Sequence, residues 1–380
     1  MKTVILYSEK MRGYGFAPEP KYRGRKCDDF IRLFEEEIGE NDFKVIEPRE
    51  ASTNYLALVH DIPFIYGVRL RAELGPEECV KRGLPVVEDT PLRQGIYEAA
   101  RLVVGASIQA TELVWEGKFN YAVGLGGGLQ HATRNSEGGF CVFNDIAIDI
   151  RDLEHNYGAN RILNLSVDLH ANNGTAEILQ EDPKSLKISI HRDPTDFYPH
   201  WGFVNQIGAK EGEGYTVNVP LPYRTSDLAY EHVLDEIFVP LAEEFKPEII
   251  IVNGGPDAHF ADEYQQLALT FDGYRMIGKK VREVANKVCN DKVVYLPGSG
   301  YNAIVFPYAT LSFLCGLTGI DKKFEEPILL PKWLREIYDL KEELYLQPPE
   351  WLRKDNRFEE VKDVVKEVKR NLKGCWKCFQ

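Results

Sequence analysis

An aspartate and a histidine separated by a single residue, Asp168 and His170, directly follow the apolar run 162–167. If that run is a strand, positions i and i+2 face the same side, so both side chains can converge on one ion. A second apolar run, 249–252, leads through glycines to Asp257. A third, 293–296, leads to Tyr301, and a fourth, 121–125, leads to Gln130 and His131. One imidazole and two carboxylates make a three-ligand set with a fourth position open, the pattern of catalytic rather than structural zinc. Such an ion would acidify a water and polarise a substrate carbonyl. A nearby histidine could move the proton, a role worth about 10²–10⁴-fold, and a tyrosine hydroxyl could stabilise the developing oxyanion. The parts suit hydrolysis of an amide or another acyl bond. Each residue alone is common at a strand end; the conjunction carries the reading.

The elements that must position these residues follow from periodicity. Runs rich in β-branched residues recur at 3–7, 121–125, 162–167, 186–190, 215–219, 249–252 and 293–296, each nearly continuous in hydrophobicity, as strands buried on both faces are. Amphipathic stretches such as 93–115 and 228–245 lie between them. This alternation predicts an α/β fold: one large domain over 1–322, a mostly parallel sheet with helices on both faces. Ligands of such sheets bind beyond the carboxyl ends of the strands, where the polar residues fall. The proline-rich segment 45–90 reads as loops and short helices at the rim. Residues 323–380 carry Pro331, Pro348 and Pro349 and charge-rich helical stretches such as 357–371, predicting a helical C-terminal extension packed on or beside the domain.

Bulk properties narrow the partners. The chain has 380 residues, 44% hydrophobic and 28% charged, an ordinary globular composition. A net charge of −13 argues against a nucleic-acid partner, though an acidic surface usually does no more than confer solubility. No apolar run approaches the roughly 20 residues that span a bilayer. The N-terminal apolar stretch reads as a buried strand rather than a signal peptide, so a cytoplasmic protein with no membrane partner is expected. Seven cysteines at irregular spacing do not form a disulfide framework, and the lone C-x-x-C, Cys375 and Cys378, reads as two exposed tail thiols.

Four blocks in order resemble the histone deacetylase and acetylpolyamine amidohydrolase family, including acetoin-utilisation-type members. They are GGGLQHATRNSEGGFCVFNDIAI, LNLSVDLHANNGTAEILQEDPKSLKISIH, NGGPDAHFADEYQQLALT and LPGSGYNA, and the likeness spans about residues 1–320. The resemblance implies an arginase/deacetylase-like fold and one zinc ion held by Asp168, His170 and Asp257, although Fe²⁺ or Co²⁺ also suits that donor set. It makes His131 the general base and Tyr301 the carbonyl-polarising hydroxyl. Gly139, Phe140 and Tyr198 fall along the acyl channel, and Asp89 and Tyr264 at its rim. It also brings an expectation of a structural monovalent cation.

The departures fall on partners. The first histidine of the family's pair is Gln130, and the aspartate that would orient it is Ser166, so one His–Asp dyad is lost as a unit. Asn173 matches the residue expected behind His131, while Ala171 and Asn172 replace the family's histidine and glycine after the ligand histidine. Gln130 can hydrogen-bond a water or a substrate oxygen but cannot become cationic. The leading expectation is therefore an amidohydrolase that removes an acyl group, acetyl foremost, from an acyl-lysine, a polyamine or a small amine. A binding or regulatory protein with little catalysis, hydrolysis of a different acyl bond, and an arginase-like two-metal hydrolase stand as alternatives. Oligomeric state is not legible.

Overall fold

The computed structural model describes residues 2–16, 25–39, 43–353 and 357–380. Eight parallel strands form its main sheet: β1 (Thr3–Leu6), β2 (Phe43–Ile46), β3 (Tyr121–Gly124), β4 (Ile162–Ser166), β5 (Ser185–Arg192), β6 (Thr216–Leu221), β7 (Ile249–Asn253) and β8 (Val293–Leu296). Their spatial order is β2-β1-β3-β8-β7-β4-β5-β6. The four strands expected to deliver the chemistry, β3, β8, β7 and β4, are thus consecutive at the centre.

The pleat sends alternate residues to opposite faces. Ile5, Val123, Leu163, Leu165, Ile250 and Val252 share one core with α1 (Lys26–Glu37), α4 (Phe271–Val288) and α5 (Val305–Thr318). Val4, Leu6, Ala122, Ile162, Ile249 and Ile251 share the other with α2 (Ile96–Trp115) and α3 (Asp145–Tyr157). Each fully buried Val, Leu or Ile contributes about 1.5–3 kcal/mol. Helices α4 and α5 touch backbone to backbone: a Cβ on Gly278 would meet Phe313 O at 2.1 Å, and one on Gly316 would meet Arg275 O at 2.1 Å. That crossing fixes α5, the helix that begins just past Tyr301.

Four expectations need correction. The edge strand β2 was hidden because its four residues are half-buried or exposed and carry a lysine. Within 45–90, Ile62–Leu74 is a helix of 13 residues rather than a short one. The stretch 228–245 is not one α-helix. Asp227–Val233 passes through a π-turn, Leu234–Phe238, into Val239–Phe245, which has Pro240 in its first turn. Proline has no N–H to give to the preceding turn, and the wider turn accommodates it. Lastly, β4, β5 and β6 are not apolar on both sides: one face carries the buried polar residues Asn164, Ser166, Lys187, Ser189, His191 and Asn218.

The C-terminal helix α6 (Phe358–Leu372) inserts Val361, Val365, Val368 and Leu372 into the same core as Tyr230 and Val219. Trp376 Nε1 donates to Gly214 O at 2.8 Å, and Cys375 and Cys378 are exposed. Two short strands, β9 (Ile328–Leu329) and β10 (Leu344–Tyr345), pair antiparallel in this region. No helix of the described residues is long and apolar enough to cross a membrane.

Candidate active site

Strand β4 ends at Ser166, and the chain turns so that Asp168 and His170 lie side by side. His170 N donates to Asp168 Oδ1 at 2.8 Å, and His170 Nδ1 lies 3.2 Å from that oxygen. Asp257 reaches the same imidazole from β7: its Oδ2 is 3.3 Å from His170 Nδ1, and its Oδ1 accepts from Leu169 N at 3.0 Å. Asp257 Oδ2 is buried and makes no well-aligned hydrogen bond; it only faces His170 Nδ1 across that 3.3 Å ion pair. A carboxylate oxygen left this way in an interior calls for a cation. Ligand atoms of His131, Asp168 and His170 all lie within 4.8 Å of one another. Asp257 is outside that group of three and reaches the centre through its 3.3 Å approach to His170.

The charges there are mutually dependent. Burial lowers the His170 pKa, but hydrogen bonds and charge from Asp168 and Asp257 outweigh it and raise it to about 9. Burial, then the charge of Asp168, raises Asp257 to about 7. A proton on His170 thus does between the two aspartates what a metal ion would do. His131 is pushed the other way: burial first, then the neighbouring His170 charge, lower it to about 4, so it is neutral at physiological pH. Its Nδ1 donates to Asn173 Oδ1 at 2.6 Å, which leaves the lone pair on Nε2.

Gln130 is engaged differently from the other residues. Its Oε1 accepts from Ser166 Oγ at 3.0 Å and Asn253 Nδ2 at 3.0 Å, and its Nε2 donates to His170 O at 3.1 Å. The network continues through Asn164 to Asn172 at 2.7 Å per link. One Nε2 hydrogen remains for a ligand. Gln130 and Ser166 are direct partners, and the amide is a strut behind His170 as much as a group facing the cavity.

Around this centre stands an aromatic wall. Tyr198 meets His131 edge-on with centroids 5.1 Å apart, and Tyr264 meets His170 at 5.3 Å and Tyr301 at 5.0 Å. Phe140 lies 6.0 Å from the Tyr301 ring. Asp89 and Thr90 hold the wall's loop: Asp89 Oδ2 accepts from Gly139 N at 3.0 Å and Thr90 Oγ1 from Phe140 N at 3.0 Å. Gly139 and Phe140 have φ of +57° and +62°. Gln130, His131, Phe140, Asp168 and Tyr301 also line a cavity that runs towards Tyr7, Met11 and Lys26.

A Cβ on Gly139 would lie 2.5 Å from His131 Cδ2. Gly139→Ala is therefore expected to displace the imidazole, lowering turnover by about tenfold or more while metal content stays unchanged. Kinetics alongside metal analysis would check this, and undiminished turnover would refute it.

Some contributors escaped the sequence reading. Phe197 stacks on His170, with centroids 5.0 Å apart and planes 18° from parallel, and its only signal was adjacency to Tyr198. Asp262 accepts from Tyr301 N at 2.8 Å and Asn302 N at 3.0 Å, fixing the tyrosine turn. Asp145 accepts from Gly128 N and Leu129 N at 2.8 and 2.7 Å, fixing the turn before Gln130. A buried ion pair, Arg71 with Glu137, anchors the start of the Gly139 loop. Asp145 and Asp262 lay inside recognisable blocks; Arg71 had no signal.

Fold and site together define a parallel α/β domain with a buried aspartate–histidine centre at adjacent strand ends. Residues 19–317 match the histone deacetylase domain. A probable deacetylase of Archaeoglobus fulgidus is 31% identical over 385 residues, covering 100% of both chains. The acetoin utilization protein AcuC of Bacillus subtilis is 31% identical over 335 residues, 87% of this chain and 85% of its own. In fold, the crystal structure of the HDA15 HD domain superposes with a TM-score of 0.79 at 22% identity, covering 100% of this chain and 98% of that one. The chain belongs to the histone deacetylase family and is a hydrolase acting on amide bonds.

Proposed function

We propose that this protein removes an acyl group, acetyl foremost, from an acetyl-lysine, an acetylpolyamine or a small N-acyl amine, using one zinc ion held by Asp168, His170 and Asp257. The observation that carries the reading is the convergence of Asp168 and Asp257 on His170, with a buried Asp257 Oδ2 that makes no well-aligned hydrogen bond. Fe²⁺ or Co²⁺ would suit the same donors. When bound, the ion supplies Lewis acidity to the substrate carbonyl and to the attacking water. His131 takes the proton at Nε2, because Asn173 fixes the other ring nitrogen as the donor. Tyr301 donates its hydroxyl to the carbonyl oxygen as negative charge develops there. Phe140 and Tyr198 flank the acyl-aminoalkyl chain and exclude water, while Asp89 and Tyr264 receive the substrate at the mouth. The acidic balance of the chain supports a small or cationic substrate over nucleic acid.

Gln130 and Ser166 favour a second reading, in which the bond cleaved is more labile than an ordinary amide, because no second imidazole stands by to protonate a poor leaving group. The test is a screen of the zinc-loaded protein against acetyl-lysine peptides, acetylated polyamines, small N-acyl amines and activated esters. Chelator-sensitive turnover of an amide supports the first reading, and turnover of esters alone supports the second. Inactivity throughout would sink both.

A further inference from the structure

The residues that the site does not use include one buried cation, Lys187 on β5. It is 2% exposed, and among the described residues no carboxylate forms an ion pair with it. Its Nζ is surrounded by oxygens: Ser185 O at 2.8 Å, Leu179 O at 2.9 Å, Asp182 O at 3.3 Å and Ser185 Oγ at 3.3 Å. Asp182's carboxylate is occupied elsewhere, by Lys184 N at 2.9 Å, Ser185 Oγ at 2.9 Å and Arg151 at 3.2 Å.

A buried lysine ordinarily rests against an acid or loses its proton. Burial does pull this one down, to about 7. The cage nonetheless suits only the charged form. Three of the four oxygens are backbone carbonyls, and the single hydrogen of Ser185 Oγ is given to Asp182, so every neighbour presents lone pairs. A neutral amine would aim its own lone pair at one of them. Rings of carbonyl oxygens without a carboxylate are what proteins use to hold monovalent cations stripped of water. An ammonium is close to a potassium ion in charge and size.

We propose that Lys187 is a tethered replacement for a monovalent metal ion: its ammonium fills an oxygen cage that would otherwise take up K⁺ or an ion of similar radius. The structural monovalent cation expected from the family resemblance is therefore not needed at this place, because the chain supplies the charge itself. The cage also explains the position. Leu179 caps the short helix Asn173–Ile178, whose first residue holds His131 Nδ1, and Ser185 opens β5, whose Ser189 Oγ accepts from Asn172 N at 3.2 Å. The ammonium ties these two segments together behind the site, and does so at any salt composition. The inference rests on none of the catalytic assignments.

Lys187→Ala empties the cage, whereas Lys187→Met fills the stem's volume with no charge. Melting temperatures of both variants and the wild type would be compared in tetramethylammonium, lithium, potassium and rubidium chlorides at one ionic strength. Lys187→Ala is expected to melt several degrees lower in tetramethylammonium, and to recover at least half of that loss, saturably, in potassium or rubidium. Lithium, the wild type and Lys187→Met should show no comparable gain. A Lys187→Ala protein that gains no more than the wild type overturns the proposal. Should that variant not fold, rubidium-soaked wild-type crystals decide: no anomalous peak among the Leu179, Asp182 and Ser185 oxygens is expected, and a peak there refutes the tethered ion.

Discussion

Asp257→Asn is expected to yield a folded protein that carries almost no metal and deacylates more slowly by at least about 10³-fold. Metal content should fall from about one equivalent per chain to background. Loss of several kcal/mol of charge stabilisation at about 1.4 kcal/mol per decade gives the rate estimate. Folding should survive because Asn keeps the Oδ1 acceptor that receives Leu169 N. The oxygen lost makes no hydrogen bond to the backbone, only the 3.3 Å approach to His170, so the main-chain tie at Leu169 is untouched. Metal analysis and turnover measured on the same preparation check both halves. A variant that still retains a full equivalent would remove Asp257 from the ligand set.

The same centre predicts how the metal-free wild type responds to pH. His170 is raised to about 9 and Asp257 to about 7, so the folded metal-free protein binds more protons there than the unfolded chain does. The stability that these two groups contribute then falls as pH rises. The Asp257 contribution is full below the ordinary carboxylate value of about 4 and is gone above about 7. The His170 contribution is full below about 6.5 and is lost as pH passes through about 9. A bound divalent ion supplies positive charge that does not titrate, and its binding grows stronger as its ligands deprotonate. The gap in melting temperature between loaded and chelated protein should therefore widen from pH 6 to pH 9. A gap that narrows over that range would contradict the assignment.

How much of this was legible beforehand depended on whether a residue's role is local or set by register. Asp168 and His170 are two apart just past a strand end; the sequence spacing pointed to their convergence, but the turn after Ser166, closed by His170 N on Asp168 Oδ1, is what brings it about. The pairing of Gln130 with Ser166 could be inferred because both depart from one family pattern at once. Asn253 could not: it reaches Gln130 because β7 lies beside β4 with Ser166 opposite Asn253, a register no single segment encodes. The polar face of β4 to β6 was hidden for a similar reason. Ser, Asn and Lys alternate there with Leu, Ile and Val, and the apolar half of the pattern alone already satisfied a strand. Arg71 reaches Glu137 across 66 residues of sequence, a contact that only the packed fold creates.

Tyr301→Phe is expected to separate chemistry from binding. The ring is held by contacts other than its hydroxyl. Asp262 holds the backbone N–H groups of Tyr301 and Asn302, Gly300 makes the turn at φ +103°, and Tyr264 packs edge-on against the ring. Phenylalanine should keep that placement, so metal content and KM stay close to wild type. What disappears is one donor aimed at the carbonyl oxygen as it becomes negative, worth about 10²–10³ in kcat by comparison with other oxyanion donors. The distribution of the effect is the informative part. A fall in kcat with KM unchanged identifies an interaction made in the transition state, whereas a rise in KM alone would make Tyr301 a wall of the channel. Equal kcat for the variant and the wild type would mean that the carbonyl is polarised without this hydroxyl. Gln130, with one amide hydrogen still uncommitted beside His170, would then be the next donor to remove.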